Sequence, residues 1–344
     1  MIQRVSIGLV GAGYWGQKLL PKFIEAPGSS VRMICDIHPQ NRGDIEKRFP
    51  GIPTTDSYDK LLGDRDVRAV VLATPLATHF PLAQKAIQAG KHVWIEKPLA
   101  LCLDEGRRLV QFARAAGTIL FVDHTFLYDP AVSLIHDLVK NGDFGDIYHV
   151  FLQRLNLGRI KRDSSVWWNS GPHDISIILY LLPGHITSIA LHGYSYLQEK
   201  LQDLNMAAIE LSGGTSAFVY HNWLYPENTA KLTMVGSKQL LVYEGKFDKR
   251  SIAVSEYAVE HGVPGQPLPH ELPTTIPSRL IAGRKLEEFG SQEPLALAVE
   301  DFLESIRHGR APRSDGDFSL RVLTVLDAGE RSAQGGGTKI FLEV

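Results

Sequence analysis

The chain has 344 residues, more than one hydrophobic core usually organises, so two domains are expected. Apolar residues make up 44% and charged residues 22%, the ordinary balance of a soluble globular protein. A formal charge of −2 gives no electrostatic reason for nucleic acid or an anionic membrane as partner. The two cysteines, Cys35 and Cys102, have no Cys or His at metal-ligand spacing, which speaks against a disulfide framework or a zinc site, so no metal is expected. The first residues lack the apolar region and cleavage site of a signal peptide, and the longest apolar run, 175–182, is too short to span a bilayer. A cytoplasmic location is the expectation.

From the start, strand-like and helix-like segments alternate. Apolar strands are predicted at 5–10, 31–36, 69–73, 92–95 and 119–122. Helical periodicity is predicted at 14–25, 41–49, 58–62, 81–89 and 104–116. Strands apolar on both faces, separated by helices, imply a doubly wound parallel sheet. After residue 123 the rhythm changes. A helix at 130–141 precedes alternating strands at 147–156, 186–194, 206–211, 215–223, 230–235 and 239–243. A helix at about 172–182 interrupts them. The expected second domain is α+β with a large, mostly antiparallel open sheet. Prolines at 264, 267, 269, 273 and 277 mark an extended surface excursion. Helices at 294–307 and 318–332 and a strand at 339–344 complete the chain. The division read here is 1–123 and 124–344, with the C-terminal helix free to pack back on the first domain.

Gly11-Ala12-Gly13-Tyr14-Trp15-Gly16 matches G-x-G-x-x-G directly after a predicted strand and at the opening of a predicted helix. Asp36 ends the next strand, 20 residues beyond Gly16. Together these form the dinucleotide fingerprint of a Rossmann domain, which is far more specific than the glycines alone. Gly11 permits the tight turn, Gly13 lets the backbone approach a pyrophosphate, and Gly16 lets the helix pack close. Tyr14 and Trp15 belong to the same loop, and the helix N-terminus offers N–H groups to phosphate. Asp36 suits ribose hydroxyls and repels a 2′-phosphate, so NAD is expected over NADP, although Arg42 nearby leaves some NADP use open.

Glu96-Lys97-Pro98 sits at the C-terminal end of a predicted parallel strand, where ligands of such sheets bind. A lysine there can donate to a substrate hydroxyl, and Pro98 fixes the backbone, in cis or trans. On generic grounds a surface Glu–Lys pair is the commoner explanation. Trp167-Trp168-Asn169-Ser170-Gly171-Pro172-His173-Asp174 places a histidine in what reads as the first turn of a helix. The dipole there favours a neutral imidazole able to act as a base, while a lone histidine more often caps or packs. The stretch from Arg154 to Arg162 carries four basic residues, Arg154, Arg159, Lys161 and Arg162, suited to an anion or to a solvated loop. The aromatics at 194, 196, 223 and 225 could equally stack on a ligand or pack in the sheet.

Over nearly its whole length the chain resembles the Gfo/Idh/MocA oxidoreductases. The residues that carry the resemblance are the fingerprint at 11–16, Ala73-Thr74-Pro75 followed by His79, and Ala89-Gly90-Lys91-His92 leading into Glu96-Lys97-Pro98. The resemblance implies that Lys97 lies beside the nicotinamide and handles the substrate hydroxyl. It also implies that Thr74, Pro75, His79 and Glu96 help form the cofactor pocket. The family often places Asp-x-Gly-x-His at the second landmark. His173 matches that histidine, but Asn169 stands in the aspartate's place. Lys97 and His173 are therefore expected to carry proton transfer and Asn169 to bind substrate.

The stretches from His124 to Tyr128, from Gln153 to Arg159 and from Pro172 to Leu181 resemble the subgroup acting on nucleotide-linked sugars. That resemblance implies NAD-dependent oxidation of the C3 hydroxyl of UDP-N-acetylglucosamine or its uronic acid. The 3-keto product would supply an aminotransferase in cell-envelope sugar biosynthesis, as in lipopolysaccharide. His124, Arg154, Arg159 and Lys161 join Asn169 as expected substrate residues. Rival readings are a keto-sugar-nucleotide reductase, an inositol or free-sugar dehydrogenase, and a non-catalytic NAD-binding sensor. An uncovered second-domain sheet also predicts a homodimer or homotetramer.

Overall fold

Short runs of residues buried on both faces define the first sheet: Val5, Ile7, Leu9 and Val10, then Ala69 to Leu72, then Val93 to Ile95. Strands buried on both sides need helices above and below, and the βαβ rhythm supplies them. In the computed structural model, which describes residues 4–157, 164–246, 249–259 and 278–344, these runs pair in parallel. The elements are β1 (Val5–Val10), α1 (Gly16–Glu25), β2 (Ser29–Cys35), α2 (Pro39–Arg48), β3 (Thr54–Thr55) and α3 (Tyr58–Gly63). β4 (Ala69–Leu72), α4 (His79–Gln88), β5 (His92–Ile95), α5 (Leu103–Ala116) and β6 (Leu120–Val122) follow. The strand order is β3-β2-β1-β4-β5-β6, so the direction of winding reverses between β1 and β4.

Five strands end on one row. Cys35 pairs with Val10, Val10 with Leu72, Leu72 with Ile95, and Ile95 with Val122. The residues that follow, Asp36, Gly11, Ala73, Glu96 and Asp123, therefore line one carboxyl edge of the sheet.

The second sheet is built from α6 (Pro130–Lys140), β7 (Ile147–Leu157), α7 (Val166–Leu181), β8 (Ile186–Tyr194), β9 (Leu204–Leu211) and β10 (Ser216–Asn222). β11 (Leu224–Gly236), β12 (Gln239–Lys246), β13 (Lys249–Val259) and β14 (Ser278–Glu287) extend it. The chain then forms α8 (Pro294–His308), α9 (Gly316–Gln334) and β15 (Ile340–Phe341). Among the described residues nine strands run in the order β14-β13-β12-β11-β7-β10-β9-β8-β15, and β7 and β10 pair in parallel. Along β9 alternate residues Asn205, Ala207, Ile209 and Leu211 are buried, the period of a sheet covered on one face. Strands β13 and β14 were not anticipated. The polar run of β14, interrupted by Gly283, gains its conformation from pairing with β13, since β propensity depends on such context. The proline-rich excursion lies almost wholly outside the described residues.

By compactness the chain divides into residues 1–129 with 292–327, and 130–291 with 328–344. In the first unit α8 packs on α1 and β1. Its Phe302 lies edge-on to Trp94 at 5.6 Å between ring centres, and Trp94 stacks on Phe121 at 4.2 Å. In the second unit α7 covers β9 and β10. The Trp167 ring fills the space over Gly329, where an added Cβ would lie 2.6 Å from it.

Helix α7 begins earlier than its sequence reads. Ser165 caps it, accepting from Trp168 N–H at 3.4 Å, and buried Val166 and Trp167 form its first turn. The sequence places the helix start at Pro172, yet Val166 to Gly171 are already helical, and Ser170, Gly171 and Pro172 are buried. His173 thus stands two turns inside the helix rather than in its first turn. The dipole argument for a neutral imidazole does not apply there.

His92, at the start of β5, accepts from Ile119 N–H on Nδ1 at 2.9 Å. Burial, helped by Arg68, pushes its pKa down to about 4 from an ordinary 6.5. The unfolded chain therefore binds the extra proton between those values. The stability His92 contributes is complete above about pH 6.5 and is lost as the pH falls toward 4. Its share of the slope is up to about 1.4 kcal/mol per pH unit. Urea unfolding of wild type and His92→Gln across this range should show a flatter pH dependence in the variant. Equal slopes would remove His92 from the acid sensitivity of the fold.

Candidate active site

The turn after β1 is shaped by backbone contact. Gly11 has φ +91°, and a Cβ there would lie 2.5 Å from Ala73 O. A Cβ on Gly16 would lie 1.8 Å from Gly11 O, so α1 approaches the turn as only glycine allows. Gly13 differs, because its Cβ direction opens into free space. Tyr14 and Trp15 point outward, at 56% and 44% exposure, with the Lys18 ammonium over both rings. Asp36 is buried and braces the turn. Its Oδ2 accepts from Ala12 N–H at 2.7 Å and Asn41 Nδ2 at 3.0 Å, and its Oδ1 accepts from His38 N–H at 2.7 Å. Three donors leave room for about one more on a carboxylate. Arg42 donates to the Asp36 carbonyl at 2.7 Å, next to this position.

The other strand ends bring the chemistry-bearing groups. Thr74 and Pro75 follow β4, and Thr78 donates its hydroxyl to Thr74 Oγ1 at 2.8 Å. Glu96 and Lys97 follow β5, and the Lys97–Pro98 peptide is cis. Glu96 is buried and Lys97 half-buried. His79, expected in the pocket wall, is 1% exposed. Its Nδ1 lies 3.0 Å from Pro98 O and its Nε2 3.1 Å from Thr74 O. It braces the two turns from behind, and burial holds its pKa below the ordinary value. His124, expected to meet substrate, is also 1% exposed, with its ring edge-on to Phe318 at 5.9 Å. Neither of its ring nitrogens has a hydrogen-bond partner among the described residues, and burial pushes its pKa down to about 3. It is an interior residue of the first unit.

Asp123 belongs to none of the motifs singled out in the sequence. It follows β6 on the row that Glu96 occupies after β5, is 3% exposed, and so stands beside Glu96. An acid directly after a wholly apolar strand was the available signal.

In the second unit Asn169 and His173 are four residues apart on α7, hence on one face of the helix, and both are half-buried. Arg154 donates its Nε to Asp174 Oδ1 at 2.7 Å, so this part of the expected phosphate holder is committed to an internal pair. His221 Nε2 meets Asp174 Oδ2 at 2.8 Å. Burial alone would raise the Asp174 carboxyl, but Arg154 and His221 hold it below the usual range. Trp223 is buried, whereas Tyr194 and Tyr196 are exposed and stacked at 6.3 Å. Arg159 and Lys161 lie outside the described residues.

Residues 5–124 match the oxidoreductase family, NAD-binding Rossmann fold, and residues 132–242 match the GFO/IDH/MocA C-terminal domain. The chain belongs to the Gfo/Idh/MocA family. A UDP-N-acetylglucosamine 3-dehydrogenase from Acidithiobacillus ferrooxidans is 24% identical over 92% of this chain and 93% of its own. Its crystal structure covers 98% of this chain and 99% of its own with a TM-score of 0.81 at 23% identity. The WlbA dehydrogenase from Bordetella pertussis, solved with NADH and UDP-GlcNAcA, gives a TM-score of 0.80 at 22% identity over 99% and 100% of the two chains. A dTDP-3,4-didehydro-2,6-dideoxy-alpha-D-glucose 3-reductase from Streptomyces violaceoruber is 32% identical over 42% of this chain and 43% of its own.

The fingerprint fits the NAD of a Gfo/Idh/MocA enzyme. Gly13 leaves the approach to the loop open, α1 starts at the loop, and the Asp36 carboxylate keeps acceptor capacity. Two glycine variants separate the cradle from the fold. Gly13→Val should melt like wild type and lose roughly tenfold or more in NAD affinity by calorimetry, because its side chain enters the space the pyrophosphate needs. Gly16→Val should lose the fold itself. Wild-type NAD affinity in Gly13→Val would place the cofactor elsewhere.

Proposed function

We propose that this NAD-dependent oxidoreductase oxidises the C3 hydroxyl of a UDP-linked amino sugar, UDP-N-acetylglucosamine or its uronic acid, to the 3-keto sugar. The observation that carries this reading is the near full-length likeness to a UDP-N-acetylglucosamine 3-dehydrogenase. When bound, NAD would supply the acceptor for the hydride of C3. The remaining work falls to the chain. Lys97 and His173 handle the proton of the reacting hydroxyl, so that the O–H and C3–H bonds break as the C=O bond forms. Asn169, one turn before His173, donates or accepts a hydrogen bond to the sugar, a role its amide fills where a carboxylate would charge the site. Arg159, Lys161 and Arg162 supply cations for the pyrophosphate, while Arg154 is held by Asp174. A 3-keto amino sugar is a ready substrate for an aminotransferase, so that reaction class is the natural consumer.

The outward face of the second sheet carries Met206 and Phe218, exposed by 51% and 41%. We assign this face to contact between copies of the chain, as a dimer or tetramer. Light scattering of Phe218→Asp should show a smaller species than wild type, and an unchanged mass would dismiss the face.

The direct test of the chemistry is NADH absorbance with NAD and UDP-N-acetylglucosamine, its uronic acid, myo-inositol and glucose. Turnover is expected with a UDP-sugar alone. Lys97→Ala should lower kcat by roughly 10²–10⁴-fold, the contribution of a positioned acid or base, with NAD affinity retained. Turnover of inositol or glucose only would make the enzyme a polyol or sugar dehydrogenase. NAD binding without turnover of any sugar in either direction would favour a sensor.

A further inference from the structure

Beside Lys97 lies a pair of acids that the dinucleotide loop does not use. Because Ile95 pairs with Val122, the next residues, Glu96 and Asp123, are neighbours at the carboxyl edge. They are 9% and 3% exposed, and because they follow paired residues of adjacent parallel strands they leave the sheet side by side. Two buried carboxyls side by side disfavour a double negative charge, so the pair keeps one proton. Asp123 is fixed from both ends: its N–H donates to Ile95 O at 2.8 Å, and Oδ1 accepts from the Thr125 hydroxyl at 2.6 Å.

The surrounding charges are few. From the turn after β5 comes Lys97, whose charge acts on Asp123. From the turn after β6 comes His124, and from the start of α4 comes His79, which touches Pro98 O. Burial disfavours the charged form of both imidazoles. Asp315, on the segment bridging to Phe121, accepts from Phe318 N–H at 2.8 Å.

We propose that Asp123 is a positioning residue: it shares one proton with Glu96, and the single negative charge left on the pair holds the Lys97 ammonium at the carboxyl edge as a donor to the reacting oxygen. This rests on Lys97 acting at the substrate hydroxyl, as read above, and it divides the labour there. Lys97 steadies the oxygen while keeping its own proton, and the hydroxyl proton passes to His173. Burial pushes the Asp123 carboxyl up to about 6. Below that pH the pair takes a second proton and becomes neutral, Lys97 loses its counter-charge, and activity falls.

The pair itself can be tested on the full chain without substrate, by infrared spectroscopy at about pH 7.5, where exposed acids are ionised. The wild type minus Asp123→Asn difference spectrum should contain a protonated-carboxyl C=O band, because an amide N–H facing Glu96 lets it ionise. Glu96→Gln should lose the same band, which guards against a folding defect in one variant. No such band in either difference spectrum would overturn the pair. In turnover of a UDP-amino sugar, Asp123→Asn should lower kcat about tenfold, part of what a positioned group supplies, with KM for NAD changed less than about twofold. The acid limb near pH 6 should vanish from its profile. A variant with wild-type kcat and an intact acid limb would overturn the positioning role, which a merely structural Asp123 would leave in just that state. If wild type turns over no UDP-sugar, the substrate reading fails, and the infrared result still decides the pair.

Discussion

The hydrogen-bonded register of five parallel strands is the constraint on which the candidate site in the first unit depends. Cys35, Val10, Leu72, Ile95 and Val122 form one row across the sheet. The chain leaves the sheet after each of them, so Asp36, the Gly11 turn, Thr74, Lys97 and Asp123 collect on the carboxyl edge. A slip of one residue would send each side chain to the opposite face. The register is held by residues with no part in chemistry. Val71, Val93, Trp94 and Phe121 are fully buried, and their packing fixes the edge as firmly as any contact within it.

The fold handles buried charge by local compensation in each unit. In the first, the Lys91 ammonium donates to the carbonyls of Asp64 and Val67 at 2.9 and 2.6 Å. Glu96 and Asp123 reduce their charge by sharing a proton. In the second, Asp174 carries its charge because Arg154 and His221 occupy both oxygens. Removing one member of such a set strands the others, which costs more than the pair contributes as a whole. These groups therefore fix the orientation of the elements that bear the candidate site residues. Arg154 and Asp174, for example, tie β7 to the helix of Asn169 and His173.

The parallel sheet and its glycine turn were legible because periodicity and backbone need are local. Fully apolar runs mark strands buried on both faces, and glycine stands where no Cβ fits, as at Gly16. The mostly antiparallel second sheet was legible from alternation, as in β9. What escaped depends on contacts distant in sequence. Arg154 reads as a free cation until Asp174, 20 residues on, is seen to hold it. The depth of His79 and His124, each 1% exposed, cannot be told from residue type. The first turns of α7 lie ahead of the predicted start at Pro172 because the packing of Trp167 on Gly329 outweighs the local preference of Asn, Ser, Gly and Pro. Asp123 carries no motif, and only strand pairing brings it to Glu96.

Hydride transfer from C3 of a UDP-linked amino sugar to NAD, with Lys97 at the reacting oxygen, is the proposal on which the functional reading rests. The most direct test is to incubate the enzyme with NAD and UDP-N-acetylglucosamine carrying deuterium at C3, then to follow the label by mass spectrometry and NMR. One deuterium is expected at C4 of the nicotinamide for each 3-keto sugar formed, with a rate that collapses in Lys97→Ala. Deuterium retained on the sugar while another alcohol reduces NAD would contradict it.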